Sequence, residues 1–248
     1  MLTNFTRIFQ KIYNPESEKD PEEAYDIWSA SYDCQLGNLM LDLDELIFSD
    51  MIKNIDLENK IVADIGCGTG RHWQKIYDKK PAAVMGFDVS SGMLHQLKRK
   101  FPSAVIQQTT DNQLKMVPNL FLDCLVTTLT IAHIKNIEEA IASWSRILKN
   151  GGDLFITDFH PLMLAKGGKR SFRLNGKSHR VINYVHPIEK VKKILCKYGL
   201  TTIKEVEKIV NEEVKIYYDA QNALAIFDRF QGIPIIYGLH IKKMRAAE

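Results

Sequence analysis

The chain has 248 residues, 45% hydrophobic and 25% charged, with 33 lysines and arginines against 30 aspartates and glutamates. This is the composition of a soluble globular protein with room for one large domain or two small ones. The formal net charge of +3 argues against a uniformly basic nucleic-acid coat. No apolar run approaches the ~20 residues needed to span a bilayer, and Met1 to Asp20 lacks the uninterrupted apolar core of a signal peptide. The four cysteines, Cys34, Cys67, Cys124 and Cys196, show neither a C-x-x-C pair nor a histidine at metal-ligand spacing. No disulfide framework and no metal site is expected, and a reducing cytoplasm fits.

In chain order, Pro21 to Asn54 has a helical pattern with Leu39, Leu43, Leu46 and Ile47 on one face, so residues 1–54 are expected to form an N-terminal helical cap or lid. From Ile61 the pattern alternates between strand and helix. Short apolar runs at Ile61 to Ile65, Ala83 to Phe87, Ala104 to Ile106, Leu122 to Thr127 and Leu154 to Thr157 suit parallel strands covered on both faces. The clearest helix between them, Ile137 to Lys149, aligns Ile137, Ile141, Trp144 and Leu148, begins with Asn136 and Glu139, and meets Gly151 just past its end. Ser171 to Arg173 and His179 to Tyr184 flank Asn175-Gly176, a favoured hairpin turn. A helix follows from Pro187 to Gly199. Two more strands, Thr201 to Val210 and Ile233 to Met244, bracket a helix around Asp219 to Phe230. The expected fold class is α/β with a doubly wound, mostly parallel seven-stranded sheet. Residues 55–248 form its main body, in one structural domain with the cap, and 159–186 form a hairpin insertion over the carboxyl edge where such folds bind ligands.

Chemistry concentrates in Asp64-Ile65-Gly66-Cys67-Gly68-Thr69-Gly70, where a strand ends and a helix opens. Glycines at alternate positions let the chain turn tightly and let a ligand approach without meeting Cβ atoms. A dinucleotide fingerprint would need glycine at position 71, which is Arg71. Asp88 ends the second strand 22 residues beyond Gly66, where a carboxylate can accept hydrogen bonds from both hydroxyls of an unphosphorylated ribose.

Through these residues the chain resembles the class I S-adenosylmethionine-dependent methyltransferases, most closely the type 11 or UbiE-like small-molecule branch. The resemblance extends through Ser90 and Met93, Asp111-Asn112, Asp123 to His133 and Leu148 to Asp158, and Tyr25 to Asp33 resembles the family's lid segment. It implies the Rossmann-like methyltransferase fold and S-adenosylmethionine as cofactor, with S-adenosylhomocysteine as product. Gly66, Cys67, Gly68 and Gly70 would lie against the methionyl and ribose portions, with Asp64 near the amino group. Asp88 and Val89 would meet the ribose, Met93 would pack on adenine, and Asp111 and Asn112 would face its edge. Thr128 would approach the methionyl end, while Tyr25, Trp28 and Tyr32 close over a sulfonium for which aromatic faces are suitable neighbours. Each has a structural alternative: Asp88 and Asp111 as turn residues, Met93 as core on the stripe of Leu94, Leu97 and Phe101, and the three aromatics as helix packing.

Methyl transfer from a sulfonium requires alignment and exclusion of water, and a general base only when the acceptor must lose a proton. His160 and His186 are the better substrate-side candidates for that base, with His133 as a third that is equally explained as structural; Pro161 and Pro187 offer turn readings of the first two. The Asn/Asp-Pro-Pro-Tyr/Phe signature of the family's base-amino methyltransferases is replaced by Thr127-Thr128-Leu129-Thr130, which disfavours a nucleobase amine. A small-molecule acceptor is expected, with no membrane and no nucleic acid, on a monomer or homodimer. An anionic acceptor would suit Lys166, Lys169, Arg170, Arg173, Lys177 and Arg180 of the hairpin, which equally read as a solvated ribbon. The alternatives are an RNA or protein methyltransferase using that hairpin, a non-catalytic domain binding the same cofactor or its product, and an oxidoreductase, against which Arg71 counts.

Overall fold

The computed structural model describes residues 17–244 apart from Leu36, Asn112, Asn175 and Gly176, with the backbone alone described at Ser17, Arg173 and Lys177. In chain order the elements begin with β1 (Ser17–Lys19), α1 (Pro21–Trp28), α2 (Leu39–Ile52), β2 (Ile61–Ile65), α3 (Trp73–Tyr77), β3 (Ala83–Asp88), α4 (Ser91–Lys100), β4 (Val105–Gln108) and β5 (Leu122–Thr128). They continue with α5 (Ile137–Ile147), β6 (Leu148–Phe159), α6 (Pro161–Ala165), β7 (Ser171–Leu174), β8 (Lys177–Val181), α7 (Ile188–Lys197), β9 (Leu200–Ile209), α8 (Lys215–Asp219), α9 (Leu224–Phe230) and β10 (Pro234–Lys243). Seven strands form one sheet in the order β4-β3-β2-β5-β6-β10-β9. All neighbours are parallel except β10, which runs antiparallel to β6 and β9.

The central strands are buried because their apolar runs face helices on both sides: Val62, Ala63, Leu125, Val126, Phe155 and Ile156 have no exposed surface. One layer contains α5 and α7, with Ile141, Trp144, Val191 and Leu195 in the core. α5 stops at Ile147, earlier than its apolar stripe suggests, because Leu148 already pairs with Leu122. Gly151 at φ +77° and Gly152, where a Cβ would stand 2.9 Å from the Asp123 carbonyl, take up the register shift that follows.

The opposite layer contains α2, so the N-terminal region is not a cap throughout. Leu43, Ile47, Phe48, Met51 and Ile52 are core residues, and a Cβ on Gly238 of β10 would overlap Ile47. Leu46, expected on the buried face, is 61% exposed. At about 100° per residue it lies across the helix from that stripe. Among the described residues of this region, α1 and the short 3₁₀ turn Tyr32–Cys34 lie outside that core, beside the carboxyl ends of the strands. The expected hairpin forms from β7 and β8, and β1 joins it in parallel, pairing Ser17 with His179 and Lys19 with Val181. The helix expected around Asp219 to Phe230 is divided into α8 and α9, with Asn222 at φ +52° between them. Among the described residues no helix is long and apolar enough to cross a membrane.

Candidate active site

A cleft of about 320 Å³ opens at the carboxyl ends of β2, β3 and β5, under α1. Its floor is the turn after β2. Gly66, Gly68 and Gly70 all have positive φ, at +70°, +52° and +72°. At Gly66 a Cβ would overlap the Thr130 side chain, and at Gly70 it would stand 3.0 Å from Leu97, whereas Gly68 faces open space. The Gly66 and Cys67 amides donate to the Phe87 carbonyl at 2.7 and 3.1 Å, holding the turn beside the end of β3. Asp88 closes the arrangement by accepting the Gly68 amide on one carboxylate oxygen and the Ser90 amide on the other, each at 2.8 Å. Each oxygen keeps a second lone pair for a ligand donor. Burial pushes the Asp88 pKa up to about 6 against the pull of its amide donors.

Asp64 lies behind the turn. One of its oxygens accepts the Trp73 indole N–H at 2.8 Å, and the other is buried without a partner among the described residues. Burial raises its pKa to about 6. Two features here suit the expected cofactor: a floor position open to ligand at Gly68, and a buried carboxylate oxygen awaiting a donor.

The other half of the cleft is assembled from distant segments. His133 follows β5; its Nδ1–H donates to the Ile182 carbonyl at 2.9 Å, so its Nε2 accepts the Tyr25 hydroxyl at 3.0 Å. The carbonyl partner fixes the tautomer. Burial holds the imidazole well below its ordinary pKa, with Arg170 acting in the same direction, and the ring is neutral at pH 7. Leu129 has φ +53°, an uncommon conformation for this residue type, and both its backbone polar groups are engaged: the amide donates to the Thr157 carbonyl at 2.8 Å and the carbonyl accepts from Arg170 at 2.7 Å. Arg170 also pairs with buried Asp158 at 3.0 Å, and Asp158 accepts the Ala132 amide at 2.8 Å.

Of the residues expected at the site, Gly66, Gly68, Asp88, Val89, Met93, Thr128, Tyr25, Tyr32 and His133 line the cleft. Among the described residues, Asp64, Gly70, Trp28, Cys67, Asp111, His160 and His186 do not line it. Trp28 stacks on Phe172 of the hairpin at 4.5 Å between ring centroids, packing the lid against β7. Cys67 is buried beneath the turn. Asp111 is exposed and accepts the Gln113 and Leu114 amides at 2.9 and 3.2 Å, which is the turn role, while Thr109 and Thr110 line the cleft instead. Asn112 lies outside the described residues. His160 caps α6 by accepting the Leu162 amide at 3.1 Å and faces Glu207 at 3.0 Å. His186 is 2.7 Å from the Ile134 carbonyl. Neither lines the cleft. Sequence reasoning had passed over Leu129 and Thr130, whose signal was only their position after the fourth strand.

Among the described residues, no lysine or arginine of the hairpin lines the cleft. The acidic side chains lining the cleft among the described residues are Asp20, Glu22 and Asp88. Of the hairpin's cations, Arg170 reaches the Leu129 carbonyl and is neutralised by Asp158, because a buried guanidinium needs a carboxylate. Arg71 is likewise committed to buried Asp44 and to the Leu41 carbonyl at 3.1 Å. With His72 and Thr157 also donating, Asp44 has a pKa near 2 despite burial that would raise it. A larger cavity of about 480 Å³ at the amino ends of the strands has Lys149 paired to Asp123 and Lys242 to Asp153, and none of the glycine turn.

The chain is similar to known proteins over part of its length. Residues 63–156 match the family profile described as a methyltransferase domain, type 11. Over 104 residues, 40% of this chain and 44% of the other protein, the chain is 32% identical to a ubiquinone/menaquinone biosynthesis C-methyltransferase of Campylobacter jejuni. Over 140 residues, 52% of this chain and 53% of the other, it is 28% identical to a tRNA U34 carboxymethyltransferase of Helicobacter pylori. The chain thus spans about half the length of the curated relatives it matches. Its fold is that of an S-adenosylmethionine-dependent methyltransferase structure from Mesorhizobium loti, 15% identical over 80% of this chain and 97% of that one, with a TM-score of 0.60. Residues 63–156 thus match a methyltransferase-domain profile, set within a seven-stranded sheet whose fold is that of S-adenosylmethionine-dependent methyltransferase structures.

Proposed function

We propose that this chain is an S-adenosylmethionine-dependent methyltransferase whose acceptor is a small molecule without net negative charge. The observation that carries the reading is the pairing of an open glycine turn with Asp88 at the carboxyl edge of the sheet, in a cleft roofed by α1. When bound, the cofactor supplies an electrophilic methyl group on a sulfonium sulfur, open to direct displacement. The backbone at Gly68 admits the ligand closely and Asp88 accepts its ribose hydroxyls, while Asp64 holds the Trp73 indole behind the turn. Met93, Val89 and Thr109 form the adenine side, and Thr128 the methionyl side. Tyr25 and Tyr32 cover the site and exclude water. His133 orients Tyr25, since both its nitrogens are occupied and its neutral form is the stable one.

The carboxylates at the rim support the charge of the acceptor: an anion would meet Asp20 and Glu22 with both nearby guanidinium groups already paired. Calorimetric titration with S-adenosylmethionine, S-adenosylhomocysteine and NAD tests the cofactor; binding of NAD and neither adenosyl compound ends the reading. A labelled-methyl screen against matched amines, alcohols and carboxylates tests the acceptor, and transfer to carboxylates alone removes the charge argument. The likeness to a tRNA-modifying relative supports a second reading, an RNA acceptor met by the basic hairpin. Several phosphate contacts would make binding fall steeply with salt, and no RNA binding at low salt eliminates it.

A further inference from the structure

Helix α1 is tied to the cofactor half of the cleft by the carboxylate of Asp26. Asp26, on α1, accepts the Ser90 hydroxyl at 2.6 Å and the Gly92 amide at 2.8 Å with the same oxygen. Ser90 is the residue whose amide donates to Asp88 at 2.8 Å, and Asp88 in turn accepts the Gly68 amide at 2.8 Å. A continuous hydrogen-bonded chain therefore runs from lid to Asp26, Ser90, Asp88 and the glycine turn. Gly92 permits this approach: a Cβ there would come within 2.6 Å of the Ser29 hydroxyl and 3.2 Å of the Asp26 carboxylate. A second tie lands on the same turn, where Thr69 donates to Asp33 at 2.7 Å.

We propose that Asp26 is a positioning residue that couples lid closure to occupancy of the ribose subsite, through Ser90 and Asp88. The inference rests on the proposed cofactor reading. Ribose hydroxyls donating to Asp88 favour its carboxylate form and hold its oxygens in the orientation that also accepts Ser90. Ser90 is thereby fixed with its hydroxyl toward Asp26, and α1 stays down. Conversely, a seated lid restricts Ser90 and Asp88 before the ligand arrives. By reciprocity, loosening Asp26 shortens the residence of the nucleoside ligand, although Asp26 itself does not line the cleft.

The test is stopped-flow measurement of S-adenosylhomocysteine association and dissociation on the full chain, wild type against Asp26→Ala, Asp26→Asn and Gly92→Ala. Asp26→Ala should raise the dissociation rate about tenfold or more, the range of a coupling between sites, with little change in association. Asp26→Asn keeps an oxygen that accepts from Ser90 and Gly92 and should remain within about threefold of wild type, a rescue that a role for the negative charge alone would not predict. Gly92→Ala improves helix propensity in α4 while pressing on Ser29 and the Asp26 carboxylate, so it should raise dissociation without loss of fold. Dissociation unchanged in both Asp26→Ala and Gly92→Ala overturns the coupling while leaving the cofactor reading intact. A wild-type chain that binds neither adenosyl compound overturns the cofactor reading, and the coupling with it.

Discussion

The two halves of the cleft are built in different ways. In the cofactor half, Gly66 to Gly70 and Asp88 to Met93 lie on two short runs joined by neighbouring parallel strands, and their contacts are largely backbone to carboxylate. The other half, proposed to face the acceptor, is held by side chains from remote segments: Tyr25 reaches His133, His133 reaches Ile182, and Arg170 reaches Asp158 and Leu129. The first half is a local device set by strand ends. The second exists only after the hairpin and lid have docked, so its energetics depend on buried polar pairs with no local substitute.

Substitutions that separate the halves give the largest expected effects. Arg170→Ala leaves Asp158 buried beside an unsatisfied site and should destabilise the chain by about 3 to 5 kcal/mol in urea unfolding; a smaller change would show that water replaces the guanidinium and that the acceptor half is softer than described. In the other half, Gly66→Ala places a methyl group on Thr130 at a positive φ, and should cost about 2 to 4 kcal/mol of stability. Gly68→Ala provides the contrast. Its Cβ meets nothing, so it should lose only about 1 to 2 kcal/mol of stability from backbone strain while blocking adenosyl binding in calorimetry. Equal effects of the two alanines on stability and binding would mean that the turn does not face ligand at Gly68.

Asp88→Ala should weaken S-adenosylhomocysteine by about 1 to 3 kcal/mol, the size of lost hydrogen bonds to a charged group. The pH dependence follows from its elevated pKa of about 6. Ribose hydroxyls donate and therefore prefer the carboxylate, so affinity should be full above pH 7 and decline as pH falls through 6. Asp88→Asn should flatten that decline, and a profile unchanged by the substitution assigns it to Asp64 instead. The smallest effect belongs to Tyr25→Phe, about 1 kcal/mol of stability for one hydrogen bond into a cleft that water can enter. A loss several times larger would place Tyr25 in the structural core of the acceptor half.

Much of the architecture was legible beforehand because period and punctuation are local properties. The apolar runs of β2, β3 and β5, the stripe of α5 and the Asn175-Gly176 hairpin needed no partner to be recognised, and Asp88 was found from its distance to Gly66. Side-chain destination was not legible in the same way. Histidines before proline at 160 and 186 are alike in sequence, yet one caps the helix that follows it through the Leu162 amide and the other meets the Ile134 carbonyl, 52 residues away in the chain. Arg170 could not be told from its hairpin neighbours until Asp158 supplied a buried counter-charge.

By itself the sequence determined a strand-to-helix turn that only glycines can form, an acid at the next strand end, and seven strands in an α/β order. These depend on φ, on side-chain period and on a fixed rise per residue. Which histidine enters the cleft, which cation loses its charge to a partner, and which part of the N-terminal region is lid and which is core were decided only by the tertiary structure. Burial makes a polar group take whatever partner packing brings within reach, and residues 108 apart, such as Tyr25 and His133, carry no mark of one another in the chain.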